Sequence, residues 1–261
     1  MRITFLGTGG AGGVPRFGCD CPACRRAKSD PEHIRRPCSA LVQEGDHKIL
    51  LDAGLMDLHE RFEPGELSAI VLTHYHADHV QGLLHLRWGK GDPIPVYGPP
   101  DPEGFADLFK HPGLLDFADL RAFETIELSS LRLTPLPLNH SKPTFGYAIE
   151  NRKGTRFAYL TDTLELPAGT NEYIRHWQAH GLAVDCSHPP TKTSGKELHN
   201  HNDVTTAVAI IHRSGANRGW LTHLGHETDC WLMDPANTLP ANITAVADGQ
   251  AFDLDDGGTL A

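Results

Sequence analysis

Apolar residues along this chain gather in short runs, each closed by glycine, proline or a cluster of charges, a pattern of strands interleaved with short helices. Residues 3–6 read as a first strand that runs into a glycine-rich turn. Residues 38–43 and 48–52 read as paired strands around Glu44-Gly45-Asp46, followed by a short helix over 55–62. The run Leu67-Ser68-Ala69-Ile70-Val71-Leu72 suits a buried strand. Residues 80–88 are amphipathic at helical spacing, 93–100 form a strand entering a loop, and 101–122 read as helix broken at His111-Pro112-Gly113. Strand-like runs return at 131–138, 156–160, 182–185 and 219–222. Val204, Ala207, Val208 and Ile211 predict a helix stopped at Gly215.

The 261 residues, 39% of them hydrophobic, suffice for a single domain over 1–261, built as two halves of about 1–130 and 131–261. No apolar segment is long enough for a membrane span, and Met1-Arg2-Ile3-Thr4-Phe5-Leu6-Gly7 lacks the core of a signal peptide. A soluble cytoplasmic protein with no membrane partner is expected. The formal charge of −10 argues against a nucleic-acid partner, because a polyanion is normally met by a basic face. The glycines of residues 7–13 follow a strand, as they do in dinucleotide and phosphate loops. That reading fails: there is no Gly-Lys-Ser/Thr, Val14-Pro15 stands where a helix must open, and no acidic partner follows at the needed interval.

Candidate chemistry is concentrated at Thr73-His74-Tyr75-His76-Ala77-Asp78-His79, directly after the buried strand. Side chains two residues apart share a side of an extended backbone, so His74 and His76 can grip one cation while Asp78 and His79 turn toward a second. A second cluster, Cys19-Asp20-Cys21-Pro22-Ala23-Cys24, places three thiols within six residues. In a reducing compartment such thiols hold zinc more often than they form disulfides, and a tetrahedral ion then lacks one ligand. Cys38, Cys186 and Cys230 stand alone and read as small buried apolar residues.

The His-x-His-x-Asp-His motif resembles the signature of the metallo-β-lactamase superfamily, whose dinuclear hydrolases are α/β proteins with a four-layer αββα sandwich. The resemblance implies three further ligands, each after a strand, and His140, Asp162 and His223 stand in those places. On this reading His74, His76 and His140 hold one divalent cation, Asp78, His79 and His223 the other, and Asp162 bridges them. Asp162, where many lactamases of the superfamily carry Cys, favours a phosphoester or thioester hydrolase. In the superfamily an acid placed like Asp52 supports a metal-binding His; an N-cap for the helix at 55–62 is the competing explanation. The glycine turn would let the backbone pass close to the metals. His226, three residues after His223, is the candidate fourth ligand for the zinc of Cys19, Cys21 and Cys24. The middle region is expected to overhang the site.

The phosphodiesterase branch, notably the tRNase Z enzymes, keeps an acid after the strand matched by 182–185 and a His before the following helix. Asp185 and His201 occupy those positions, with His201 the implied general acid and substrate-binding group, and His199 able to substitute for it. Longer stretches resemble the PhnP family: Gly18-Cys19-Asp20-Cys21-Pro22-Ala23-Cys24, Gly91-Asp92-Pro93-Ile94-Pro95-Val96-Tyr97-Gly98, Pro135-Leu136-Pro137-Leu138-Asn139-His140-Ser141-Lys142 and Asp185-Cys186-Ser187-His188-Pro189-Pro190. That resemblance implies hydrolysis of 5-phosphoribosyl 1,2-cyclic phosphate to ribose 1,5-bisphosphate in phosphonate degradation, with manganese, or alternatively zinc, in the dinuclear site and one structural zinc. The expected partner is a small cyclic phosphodiester, and the sequence leaves a homodimer open. The rival readings are a tRNA 3′-processing enzyme, for which no basic gripping arm is present, and a metal-binding protein without catalysis.

Overall fold

The computed structural model describes residues 1–191 and 199–255. In chain order its strands are β1 (Arg2–Gly7), β2 (Ser39–Glu44), β3 (His47–Leu51), β4 (Ala69–Val71), β5 (Ile94–Gly98), β6 (Leu115–Asp119), β7 (Ile126–Leu128), β8 (Leu131–Pro137), β9 (Phe145–Asn151), β10 (Arg156–Leu160), β11 (Gly181–Asp185), β12 (Arg218–Thr222), β13 (Ile243–Ala245) and β14 (Ala251–Asp253). The helices are α1 (Pro22–Ser29), α2 (Leu58–Arg61), α3 (Ala77–Val80), α4 (Leu83–Leu86), α5 (Ala106–Lys110), α6 (Ala168–Trp177), α7 (Val204–Ser214) and α8 (His226–Leu232).

The strands form two seven-stranded sheets, ordered β14-β1-β2-β3-β4-β5-β6 and β13-β12-β11-β10-β9-β8-β7. Each sheet has an antiparallel part and a parallel part, β3 to β6 in the first and β10 to β13 in the second. Their inner faces enclose a shared core in which Trp220 lies 5.9 Å from Phe5 and 4.8 Å from Phe252, ring centre to ring centre. Leu58, Val80, Leu83 and Leu108 cover the outer face of the first sheet, and Ile174, Ile210 and Ile211 that of the second. These are the four layers, αββα. The division expected at about residue 130 falls in the turn between β7 and β8, and β14 crosses back to pair with β1.

Three expectations differ from the structure. The helix expected over 80–88 is two short pieces, because Gly82 sits so tightly on neighbouring backbone that a Cβ there would be 2.1 Å from the Leu55 carbonyl oxygen. Its N–H bonds to Ala53 rather than back along the helix. The stretch 101–122 contains only α5 and then the strand β6, since pairing with β5 along Leu115–Asp119 outweighs local helical preference. The helix expected over 55–62 is reduced to α2, with Asp57 rather than Asp52 at its N-cap. Among the described residues no helix is long and apolar enough to cross a membrane.

Candidate metal centre

The parallel strands β4, β10, β11 and β12 all end toward one edge, the usual place for a ligand in sheets of this kind. After β4 the chain runs extended through His74 and His76 and then turns into α3, which carries Asp78 and His79. Alternation and the helical turn aim all four side chains the same way. His140 follows β8, Asp162 follows β10 and His223 follows β12, so the second sheet supplies three side chains from strand ends.

These groups converge. His76 Nδ1 lies 2.8 Å from His74 Nε2 and 3.1 Å from His140 Nε2. Asp78 Oδ2 lies 3.4 Å from His79 Nε2 and 3.7 Å from His223 Nε2. Asp162 Oδ2 is central to both sets, 3.3 Å from His223 Nε2, 3.4 Å from His79 Nε2, 3.8 Å from His140 Nε2 and 3.9 Å from His74 Nε2. Buried polar atoms are almost always paired. Yet His79 Nε2, His223 Nε2 and Asp162 Oδ1 are buried with no hydrogen-bond partner, all within this one cluster. Bound cations would satisfy them, so the donor set fits a divalent metal centre. Burial drives the imidazole of His74 well below its ordinary range, aided by the nearby His79 ring, which favours the neutral form that a ligand must present. Burial alone would raise Asp162, but the surrounding imidazoles, His223 first, hold it well below the ordinary carboxylate range.

Neighbours fix these side chains. Asp52 is fully buried, places Oδ2 2.9 Å from His79 Nδ1, and accepts a 2.8 Å bond from the Thr73 N–H. Asp52 therefore supports His79 and caps no helix. Ser187 Oγ is 2.8 Å from His223 Nδ1, and His223 itself has a left-handed backbone, φ 55. A non-glycine residue held there is strained, a common feature of functional sites. Gly10 passes the His223 ring so closely that a Cβ would be 3.1 Å from Cε1, which accounts for the glycine turn. Thr73 and Ser187 carried no sequence signal, because a hydroxyl's partner is decided only when distant strands meet.

His201 sits before α7, its Nδ1 2.6 Å from Asp185 Oδ2, and its ring stacks on His223 at 4.8 Å. Burial lowers the imidazole, but the hydrogen bond and charge of buried Asp185 outweigh it and push His201 up to about 9. Asp185 is itself held by Asn202, whose N–H and Nδ2 each donate at 3.0 Å to Oδ1. His199 is exposed. His201, His140, Asp162 and His223 line a cavity of about 410 Å³. Among the described residues, none from 80–130 lines this cavity.

Cys19, Cys21 and Cys24 gather with His226 where α1 meets α8: His226 Nδ1 is 3.5 Å from Cys19 Sγ and 3.4 Å from Cys21 Sγ. Burial raises the Cys21 thiol, but hydrogen bonds from His226 and the Cys24 N–H prevail and bring it to about 6. Cys38 and Cys186 are buried. Cys230 is not an isolated core residue; it is half-buried and abuts the Cys21 thiol.

Residues 47–224 match the Beta-lactamase superfamily domain. The chain belongs to this superfamily. The match contains Asp52, every His and Asp of the cluster, Asp185 and His201, whereas the cysteine site lies outside it. Among superfamily structures, a diphosphatase of the PhnP family is 27% identical, with a TM-score of 0.77 over 97% of each chain. Among curated relatives, Octanoyltransferase of Porphyromonas gingivalis is 27% identical over 279 residues, 99% of this chain and 52% of its own length. Ribonuclease Z of Methanosarcina acetivorans is 31% identical over 173 residues, 60% of this chain and 51% of its own. The chain spans about half the length of these curated relatives.

Proposed function

We propose that this superfamily member is a metal-dependent phosphodiesterase that opens 5-phosphoribosyl 1,2-cyclic phosphate to ribose 1,5-bisphosphate, as in phosphonate breakdown. The observation that carries the reading is the gathering of His74, His76, His79, His140 and His223 with Asp78 and Asp162 in one cluster, beside His201, which lines the same cavity and is paired with Asp185. His74, His76 and His140 would hold one divalent cation and Asp78, His79 and His223 the other, with Asp162 shared; imidazole and carboxylate ligands suit manganese or zinc. When bound, such a pair neutralises phosphoryl charge and supplies a water acidic enough to attack at neutral pH.

The chain's own residues do the rest. Asp52 and Ser187 fix the Nδ1 side of His79 and His223, so that Nε2 of each faces the cluster. Asp185 holds Nδ1 of His201, which would make Nε2 of the ring the proton donor. Hydrolysis adds the oxygen of one water to phosphorus and breaks the bond from phosphorus to ribose O2; the proton that O2 needs comes from His201. A zinc held by Cys19, Cys21, Cys24 and His226 would tie α1 to α8 and play no part in the chemistry.

The similarity to Ribonuclease Z supports a second reading, an RNA phosphodiester as substrate, against which the charge of −10 weighs. Incubating the manganese-loaded protein with the ribosyl cyclic ester and, separately, with a precursor tRNA distinguishes them. Ribose 1,5-bisphosphate detected by phosphorus NMR is the expected result; tRNA cleavage without it would overturn the first reading. A protein inert toward both, and toward bis(p-nitrophenyl) phosphate, would instead be a non-catalytic metal binder.

A further inference from the structure

The loop between β1 and α1 forms a wall shared by the cavity and the cysteine cluster. Both backbone polar groups of Arg16 are tied to that cluster: its N–H donates to Cys24 Sγ at 3.3 Å and its carbonyl accepts from the Cys19 N–H at 3.1 Å. Its stem lies over Gly12, where Cγ, Cδ and Nε would each be 3.9 Å from an added Cβ. The guanidinium reaches the cavity, with Nη1 3.3 Å from His226 Nε2. Arg16 is thus an exposed residue with an anchored base.

Two features give that position a purpose. Among the described residues lining the cavity, Arg16 is the one with a permanent positive charge; the others are neutral or acidic, or are histidines. No carboxylate among the described residues forms an ion pair with it, and Glu227 on the same wall has a partner of its own. The neighbouring imidazole is also no lasting partner. His226 turns Nδ1 to the thiols, so once that nitrogen serves a cation held with them, the ring's one proton belongs on Nε2. Two donors then face each other, and the guanidinium needs an acceptor from the cavity.

We infer that Arg16 binds a phosphate monoester of the substrate, remote from the diester that is cleaved; this rests on the function proposed above and assigns its 5-phosphate a partner. A guanidinium meets a phosphate through two parallel N–H···O bonds, which fixes orientation as well as affinity. A cavity of about 410 Å³ accommodates a pentose carrying two phosphates. The ligand would therefore lie between the metal cluster at one end and Arg16 at the other. Diesters without the second phosphate would be held by the cluster end alone.

Calorimetry on the metal-loaded protein with ribose 1,5-bisphosphate and with ribose 1-phosphate isolates the contribution of the 5-phosphate. We expect the bisphosphate to bind wild type roughly 10- to 100-fold more tightly, the range of a charge-assisted pair. Arg16→Ala should erase that difference and Arg16→Lys should restore part of it, with zinc content unchanged in both, which separates lost recognition from a collapsed cysteine cluster. Equal binding of the two ligands by wild type, or an increment that survives Arg16→Ala, overturns the inference. An increment that depends on Arg16 in a protein that does not hydrolyse the ribosyl cyclic ester sustains the inference and overturns the function instead.

Discussion

Asp52→Asn is the most informative single change at the metal cluster, because it alters one atom of a fully buried group and leaves its volume intact. Asp52 Oδ1 accepts from the Thr73 N–H at 2.8 Å and from its hydroxyl at 3.0 Å, while Oδ2 lies 2.9 Å from His79 Nδ1. In the asparagine variant the Thr73 N–H keeps the oxygen, so the new NH₂ must face His79 Nδ1. Nδ1 then becomes the acceptor and the ring proton moves to Nε2, the atom that faces Asp78 and Asp162 at 3.4 Å. A protonated Nε2 cannot bind a metal. Loss of such a supporting partner weakens metal binding by about 10- to 100-fold, or ~1.4–2.7 kcal/mol.

Asp52→Ala differs in a measurable way. It strands the buried Thr73 N–H, a cost of about 1–3 kcal/mol with or without metal, which for a domain of this size lowers Tm by roughly 2–12 °C. Chelator competition gives the metal affinities and calorimetric melting after metal removal gives the stabilities. Asparagine should weaken metal binding while nearly preserving the metal-free Tm; alanine should lower both. An asparagine variant with wild-type metal affinity would refute the account of how His79 is held.

Asp162→Ala should reduce phosphodiester hydrolysis to background while circular dichroism stays unchanged; retained turnover would remove it from the shared position. His201→Ala should slow esters with alkoxide leaving groups by about 10²–10⁴-fold and aryl esters far less, and equal losses would show that it is not the proton donor. Cys21→Ser should lower zinc by one equivalent per chain and reduce Tm, with metal analysis and melting as the checks. Gly54→Ala would place a Cβ 1.9 Å from the Asp78 carbonyl oxygen, so a loss of about 1–3 kcal/mol in chemical denaturation together with weakened metal binding is expected.

What the sequence disclosed depended on how local the cause was. His74, His76, Asp78 and His79 announce themselves because one strand end and one helical turn suffice to align them. His140, Asp162 and His223 were implied by the superfamily resemblance, and the hydrophobic pattern placed them because each follows an apolar run. The αββα layering came with the resemblance to the superfamily that the His-x-His-x-Asp-His motif carries, and not from alternation. By contrast β6 was hidden: Leu115-Asp116-Phe117-Ala118-Asp119 is extended only because β5 offers it a parallel partner. The break at Gly82 depends on the carbonyls of Ala53 and Leu55, distant in sequence, and Cys230 reaches Cys21 only once α8 has packed on α1. Asp52 showed its identity but not its use, since support of a histidine and capping of a helix look alike until a partner is in place.

The crossing of β14 has a consequence for synthesis. Its three pairs with β1, Arg2 to Asp253, Ile3 to Phe252 and Thr4 to Ala251, join residues made early to residues made about 250 positions later. Until they emerge from the ribosome, β1 has an uncovered edge and the niche that Phe252 fills beside Phe5 and Trp220 is open. A bare strand edge next to exposed aromatics is a template for pairing with another chain. Nascent chains that still lack β14 are therefore exposed to mispairing, and truncation before residue 251 should yield a protein that aggregates.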